Sequence, residues 1–373
     1  MLSKKNFYSI IIATPFFTIV PMSLSMFVQL HIKELGGSPF LVSLQSLVFW
    51  LGLTIFCIAW GKLSDLLHKR KLLIFIASLF TGLSMMIFSF LHSIKNLIII
   101  RFFNSIFIAG FAPIMLAYLS ERAGTQHGRV LSIFNTSQSV GFAIGSIFAG
   151  FILQYFDFKS AYLIASILPI ITAFIILGGI QETKISFKQN LSRMSRIIIL
   201  MFLGIMLRKS GVIGIYSLVF VYLKSRGIAP YLMGILSFLN PLTQIIFMPI
   251  FGRIADKYER DKLTAMGVLT TVLSPICFLL GKTIIFYILG FIFIGLSFAM
   301  MLSGVTAYTG YHGKGHEGTS MGLLLSFESF GGILGPFIAG LVATLTNSYQ
   351  VMFACMAGLI LIGFIFCVLC KKL

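Results

Sequence analysis

A chain of 373 residues with 58% hydrophobic and only 10% charged side chains, at a mean hydropathy of +1.01, is too apolar for a soluble domain, whose apolar share is about 45–50%. The formal net charge of +18 would point to nucleic acid in a soluble protein, but here the basic residues sort by loop instead of forming one patch, so no nucleic-acid partner is expected. The five cysteines all fall in apolar runs, which favours packing over a disulfide framework or a metal site, the Cys367–Cys370 pair included.

A spanning helix needs about 20 mostly apolar residues, at roughly 1.5 Å of rise each, to cross a hydrocarbon core about 30 Å thick. Such runs cover residues 7–31, 40–60, 72–91, 97–119, 130–156, 160–180, 197–223, 231–251, 263–281, 283–309, 318–345 and 349–370. They predict an all-α integral membrane protein with 12 transmembrane helices. Lys4 and Lys5 ahead of the first run imitate a secretory signal, yet the run is long enough to span and no small-residue cleavage site follows, so it is an uncleaved first helix. With alternating spans, one side carries only Lys33, Lys95, Lys159, Lys224, Arg226 and Lys282. The other holds Lys4, Lys5, Lys62, Lys69, Arg70, Lys71, Arg122, Arg129, the basic residues of 184–196, Arg253, Lys257, Arg260, Lys262, Lys314, Lys371 and Lys372. The richer side is cytoplasmic, which places both termini inside.

The chain repeats itself. At an offset of 191, Lys33, Gly36, Pro39 and Leu41 fall on Lys224, Gly227, Pro230 and Leu232, and GKLSDLLHKRKL falls on GRIADKYERDKL. At an offset one residue shorter, Gly128, Gly141, Gly145 and Gly150 fall on Gly318, Gly331, Gly335 and Gly340. The expected organisation is two pseudo-symmetric six-helix bundles, 1–181 and 197–373, joined by a polar, basic cytoplasmic connector at 182–196. Two parallel repeats that meet around a midplane site make the geometry of alternating access, so transport is expected before any family is considered.

The repeated loop resembles the signature of the major facilitator superfamily, a glycine, a spaced aspartate and a basic run after the second helix. Gly61, Asp65, Lys69, Arg70 and Lys71 match it, and Gly252, Asp256, Lys257, Arg260 and Lys262 match it again after the eighth. The resemblance implies a gating latch at both loops. Glycine there permits a tight turn and close helix approach, and aspartate is favoured beside a helix N-terminus. Arg101 in IIIRFFNSIFIAGF, followed by Gly110, resembles the family's fourth-helix arginine motif, which implies a role in the central cavity or in proton movement. GFAIGSIFAG and its mirror GGILGPFIAG resemble the glycine motif of antiporters, though Ser146 stands where proline is usual and the first span lacks an acidic residue. At this spacing small residues let helices approach closely. The nearest likeness is to the drug and metabolite efflux type.

Of ten acidic residues only Glu328 falls deep in a span, which makes it the proton-carrier candidate, with Gln138 as its neutral counterpart in the repeat. Arg208 and Lys209 interrupt the seventh span about 18 Å from Arg196, near its middle. Pointing about 100° apart, one is expected to face the cavity and the other a helix interface, and either can pair with Glu328 or bind an anionic group. Asn135 with Gln138, and Asn240 with Gln244, share helix faces and are candidate solute ligands or interhelical bonds. Pro15, Pro21, Pro241 and Pro249 are candidate kink points. His312 and His316 flank glycine and carry no supporting cluster, so no metal is expected, and no cofactor.

With no phosphate-binding lysine motif in the sequence, the expected energy source is an ion gradient. The reading is a monomeric secondary transporter of the cytoplasmic membrane, embedded in lipid. It moves a small-molecule substrate by alternating access, coupled to protons or another ion, in the direction of drug or metabolite efflux. Proton-coupled uptake of a sugar or organic anion is the alternative within this mechanism. A solute-sensing receptor, expected to carry an extra signalling domain, is the alternative of another class, and an enzyme is not expected, since no set of nucleophiles, acids or metal ligands gathers near one membrane face.

Overall fold

The computed structural model describes the backbone over residues 4–122, 127–182, 196–257, 260–312 and 317–370, and side chains over 6–119, 121–122, 130, 133–182, 199–255, 261–305 and 323–370. Among these the regular structure is helical: α1 Lys4–Glu34, α2 Pro39–Leu67, α3 Arg70–Phe88, α4 Ile94–Arg122, α5 His127–Tyr155, α6 Phe158–Gly179, α7 Arg196–Ser225, α8 Pro230–Lys257, α9 Arg260–Thr271, α10 Leu273–Leu280, α11 Ile284–His312, α12 Glu317–Thr346 and α13 Tyr349–Leu369. Twelve segments are long and apolar enough to cross a membrane, α9 and α10 together making the ninth, which bears out the twelve spans expected from the apolar runs. The connector 182–196 lies, but for its first and last residues, outside the described residues.

The repeated hairpin motif has a local cause. Gly36 at φ +83 and Gly227 at φ +76 stand just beyond α1 and α7 in the left-handed region, where glycine carries no Cβ penalty and ends a helix. Pro39 and Pro230 then open α2 and α8, a first-turn position where the missing N–H costs nothing.

The ninth apolar run is not one continuous helix. Pro275 has no N–H to offer the Thr271 carbonyl four residues back, and its ring crowds that carbonyl. α9 therefore stops at Thr271, and the Val272 N–H turns to Leu269 O at 3.0 Å. The prolines marked as kink points, Pro15 and Pro21 in α1 and Pro241 and Pro249 in α8, leave those helices uninterrupted.

The chain groups into two compact units. Unit 1 comprises Met1–Gly36, Val48–Lys188 and Gly227–Phe238; unit 2 comprises Gly37–Leu47, Gln189–Arg226 and Leu239–Leu373. In unit 1, α1 packs on α5 and α6, and α3 on α4 and α6, around Ile10, Phe17, Ile74, Phe111 and Met115. In unit 2, α7 packs on α12 and α13, and α9 on α11, around Met201, Phe202, Val268, Met301 and Ile360.

Helix crossings reproduce the repeat. A Cβ on Gly141 would lie 2.7 Å from Pro15 O, and one on Gly145 2.6 Å from Ile19 O. In unit 2, Gly331 presses on Met206 O and Gly335 on Ser210 O, and at the offset of 191 these are the counterparts of Pro15 and Ile19. The glycine runs thus serve backbone-to-backbone packing of α5 on α1 and of α12 on α7. An aromatic cluster recurs too. His31 stacks on Phe158 at 4.6 Å and Phe88 on Tyr162 at 5.2 Å. In unit 2, Tyr222 meets Tyr349 at 5.8 Å and Phe278 stacks on Phe353 at 5.4 Å.

Candidate functional site

Unit 1 holds two polar centres. At the α2–α3 junction, Arg70 Nη2 reaches Asp65 Oδ1 and Glu121 Oε1, each at 2.7 Å, and Nε adds a bond to Glu121 Oε1 at 3.2 Å. Nη1 donates to Ser64 Oγ. Glu121, on the last turn of α4, is as buried as its partner, whereas Asp65 is exposed. Glu182 joins the same end by accepting the backbone N–H groups of Lys71 and Leu72 at 3.2 and 3.3 Å. These bonds tie α2, α3 and α4 together where the family resemblance implies a latch. The glycines play a different part from the one expected: Gly61 and Gly252 lie inside α2 and α8, and a Cβ on either would meet nothing within 4 Å, so neither turn nor close approach requires them here. The side chains of Asp256 and Arg260 lie outside the described residues.

The second centre surrounds Arg101. It is 1% exposed, donates to Asn104 Oδ1 at 3.4 Å and lies 4.2 Å over the Phe49 ring. Asn104 Nδ2 continues to Ser84 Oγ at 2.8 Å. Arg101 is thus held inside unit 1 and does not snorkel. Asn135 is exposed and Gln138 partly so; the Gln138 carbonyl accepts the Thr18 hydroxyl at 3.3 Å.

Unit 2 separates the two cations of the seventh span. Arg208 is 1% exposed; its Nε donates to Thr271 Oγ1 at 3.0 Å and its Nη2 to Ser297 Oγ at 3.3 Å, with the Phe298 ring at 5.5 Å. Lys209 is partly exposed. Glu328, on α12, stands within coulombic reach of Arg208, and its Oε1 is buried without a hydrogen-bond partner. A desolvated carboxylate oxygen with no donor is costly, and such carboxyls inside a membrane bundle mark proton or ion pathways. The amides on α8 form a row: Gln244 Nε2 donates to Asn240 Oδ1 at 2.7 Å, and Asn240 Nδ2 to the Tyr216 hydroxyl at 2.7 Å. That fixes the amide orientations and leaves the Gln244 carbonyl as the open end of the row.

Beyond the spans, Asp157 caps α6 by accepting Ser160 N at 3.2 Å, and that residue's hydrogen bonds hold the carboxyl below its ordinary value. No group of three or more His, Cys, Asp or Glu able to hold a metal occurs among the described residues; His312 and His316 lie outside the described side chains. Sequence reasoning missed Glu121, Thr271, Ser297 and Tyr216, each identified by a cross-helix hydrogen bond.

Twelve apolar spans in two repeating sets, with cations, a carboxyl and amides held inside apolar helices, define a polytopic membrane transporter. The chain belongs to the Major Facilitator Superfamily, whose profile matches residues 8–193 and again 189–372. It is 24% identical over 299 residues to the multidrug resistance protein MdtG of Proteus mirabilis, covering 73% of each chain. It is also 24% identical over 269 residues to an uncharacterized MFS-type transporter of Methanocaldococcus jannaschii, covering 68% of this chain and 69% of the relative. The crystal structure of the nucleoside transporter NupG superposes with a TM-score of 0.82 at 14% identity, over 99% of each chain.

Proposed function

We propose that the protein is a secondary active transporter of the cytoplasmic membrane, with both termini inside, that exports a small drug-like solute or metabolite by alternating access in exchange for protons. The observation that carries this reading is Glu328, whose buried and unpartnered Oε1 lies on a span beside α7. A carboxyl in that setting accepts a proton when its access opens to one side and releases it when access opens to the other. One proton moving through about 100 mV supplies roughly 2.3 kcal/mol, enough for about a fifty-fold solute gradient. Lys209 and the Tyr216–Asn240–Gln244 row are the solute-contacting candidates in unit 2, with Asn135 and Gln138 in unit 1. Arg101 assists from unit 1, and Arg70 with Asp65 and Glu121 secures the cytoplasmic end. The multidrug relative supports export. Uptake of an organic anion is the second reading, favoured by the partly exposed Lys209.

The test is proton flux in proteoliposomes of the purified protein on addition of lipophilic cations, sugars or organic anions, with Glu328→Gln in parallel. The expected result is flux evoked by one of these classes and abolished by Glu328→Gln, while solute-for-solute exchange survives. Normal proton movement in the variant would refute the role of Glu328.

A further inference from the structure

We infer that Thr271 and Ser297 form a hydroxyl clamp that holds the Arg208 guanidinium off the Glu328 carboxylate, and that this clamp sets the pH at which Glu328 exchanges its proton. The inference rests on the reading of Glu328 as the proton carrier and adds the three residues that tune it.

The clamp is built from both sides. Thr271 gives its own hydrogen to Gly267 O at 2.9 Å and Ser297 gives its to Ile294 O at 3.0 Å. Each hydroxyl therefore faces Arg208 as a pure acceptor. Thr271 is the last residue of α9, at the break that Pro275 imposes. Arg208 is held from behind as well: a Cβ on Gly363 of α13 would lie 2.6 Å from Gly204 O and 3.3 Å from Arg208 N, so α7 and α13 meet backbone to backbone at this level.

Neutral acceptors orient a guanidinium but do not discharge it. Its field reaches Glu328 while its Nε and Nη2 donors are engaged elsewhere. A direct, bidentate pair would lock both groups and withdraw Glu328 from exchange; with no cation at all, desolvation would keep the carboxyl protonated throughout the cycle. The clamp sets a field between these extremes.

The repeat supplies a second, independent line. At the offset of 191 the counterpart of Arg208 is Phe17, stacked on Phe111 at 4.0 Å. At the offset one residue shorter, the counterparts of Glu328 and Thr271 are Gln138 and Thr81, and Thr81 donates to Ala77 O. Both charges thus depart from the neutral copy together, while the threonine is common to both units. Charges that appear as a pair on a shared scaffold act on one another.

The charged side chains on the elements packed against α12 are few. α7 brings Arg208 and Lys209 at this level and Lys224 at its far end; the described parts of α11 and α13 bring phenols and thiols but no charge, and Glu328 is the one charged side chain on the described part of α12.

The test is the midpoint of the pH–rate profile for solute-driven proton flux in proteoliposomes, with equal pH on both sides. Thr271→Val and Ser297→Ala, singly and together, free the guanidinium to close on Glu328. The double variant is expected to move the midpoint about one pH unit to the acid side, a tenfold change in proton affinity. Arg208→Gln is expected to move it a similar distance to the alkaline side, and Arg208→Lys to restore part of the shift. Solute-for-solute exchange, which requires no net proton movement, reports on folding and is expected to stay at the wild-type rate in Ser297→Ala. Clamp and Arg208 variants that move the midpoint in the same direction, or leave it in place while Glu328→Gln still abolishes coupling, would overturn the clamp. Coupled flux that survives Glu328→Gln would instead overturn the proton-carrier reading beneath it.

Discussion

Alanine at Gly145 tests the helix crossings on which both units rest. Its Cβ would stand 2.6 Å from Ile19 O and 2.9 Å from Ile19 Cα, where ordinary contact begins at 3.4 Å. Both neighbours are backbone, so no side chain can swing aside and α5 must back away from α1. The Ser23 hydroxyl bond to Gly145 O, 3.1 Å long, lengthens with it. Overpacking of this kind costs about 1–3 kcal/mol. The better helix propensity of alanine returns about 1 kcal/mol, leaving a net loss of about 1–2 kcal/mol. Gly358→Ala is the matched control, because a Cβ there meets nothing within 4 Å and only the propensity gain applies. In fluorescence-monitored thermal unfolding, at one detergent and one scan rate because such unfolding is commonly irreversible, Gly145→Ala should lower the midpoint by a few degrees. Gly358→Ala should leave it level or raise it. Equal midpoints for the two variants would refute the close-approach argument.

Three further outcomes follow from the geometry. Glu121→Gln removes a buried partner of Arg70 and should cost about 3 kcal/mol in unfolding experiments, whereas Asp65→Asn, with its exposed carboxylate, should cost less than about 1 kcal/mol; the reverse order would contradict the burial difference. Tyr216→Phe leaves the Asn240 amide without its acceptor and should raise the KM for the transported solute several-fold with little change in thermal midpoint, measured as initial uptake into proteoliposomes. The lowered Asp157 carboxyl contributes stability that is present above its unfolded value of 3.8 and is lost as pH falls through the folded one. Wild type should therefore lose slightly more stability than Asp157→Asn in a thermal series taken below pH 4.

The spans were legible because about 20 apolar residues in succession have one use in a chain this poor in charge, and the hairpins at Gly36 and Gly227 because glycine and proline act locally. Asp65 and Arg70 were legible from their spacing. Glu121 was not: a carboxylate next to Arg122 at a loop edge looks solvated, and only the packing of α3 on α4 brings it to Arg70. Neighbours on a helix point about 100° apart, so sequence could state that Arg208 and Lys209 diverge but not which one turns inward. That depends on hydroxyls on α9 and α11, 63 and 89 residues away. The break after Thr271 did have a local sign, Pro275 four residues on. Apolar character continues across that proline and masks it.

The doubled architecture also means that the chain carries its own catalogue of tolerated replacements. Each aromatic, glycine or charged position in one unit has a counterpart whose side chain already fits nearly the same surroundings: tyrosine for His31, phenylalanine for Arg208, glutamine for Glu328. Exchanging a residue for its counterpart changes chemistry while keeping a volume and rotamer that this backbone accepts elsewhere. Such swaps are gentler probes than alanine, and a swap made in both units at once would show which differences between the copies matter to the work of the protein and which are drift.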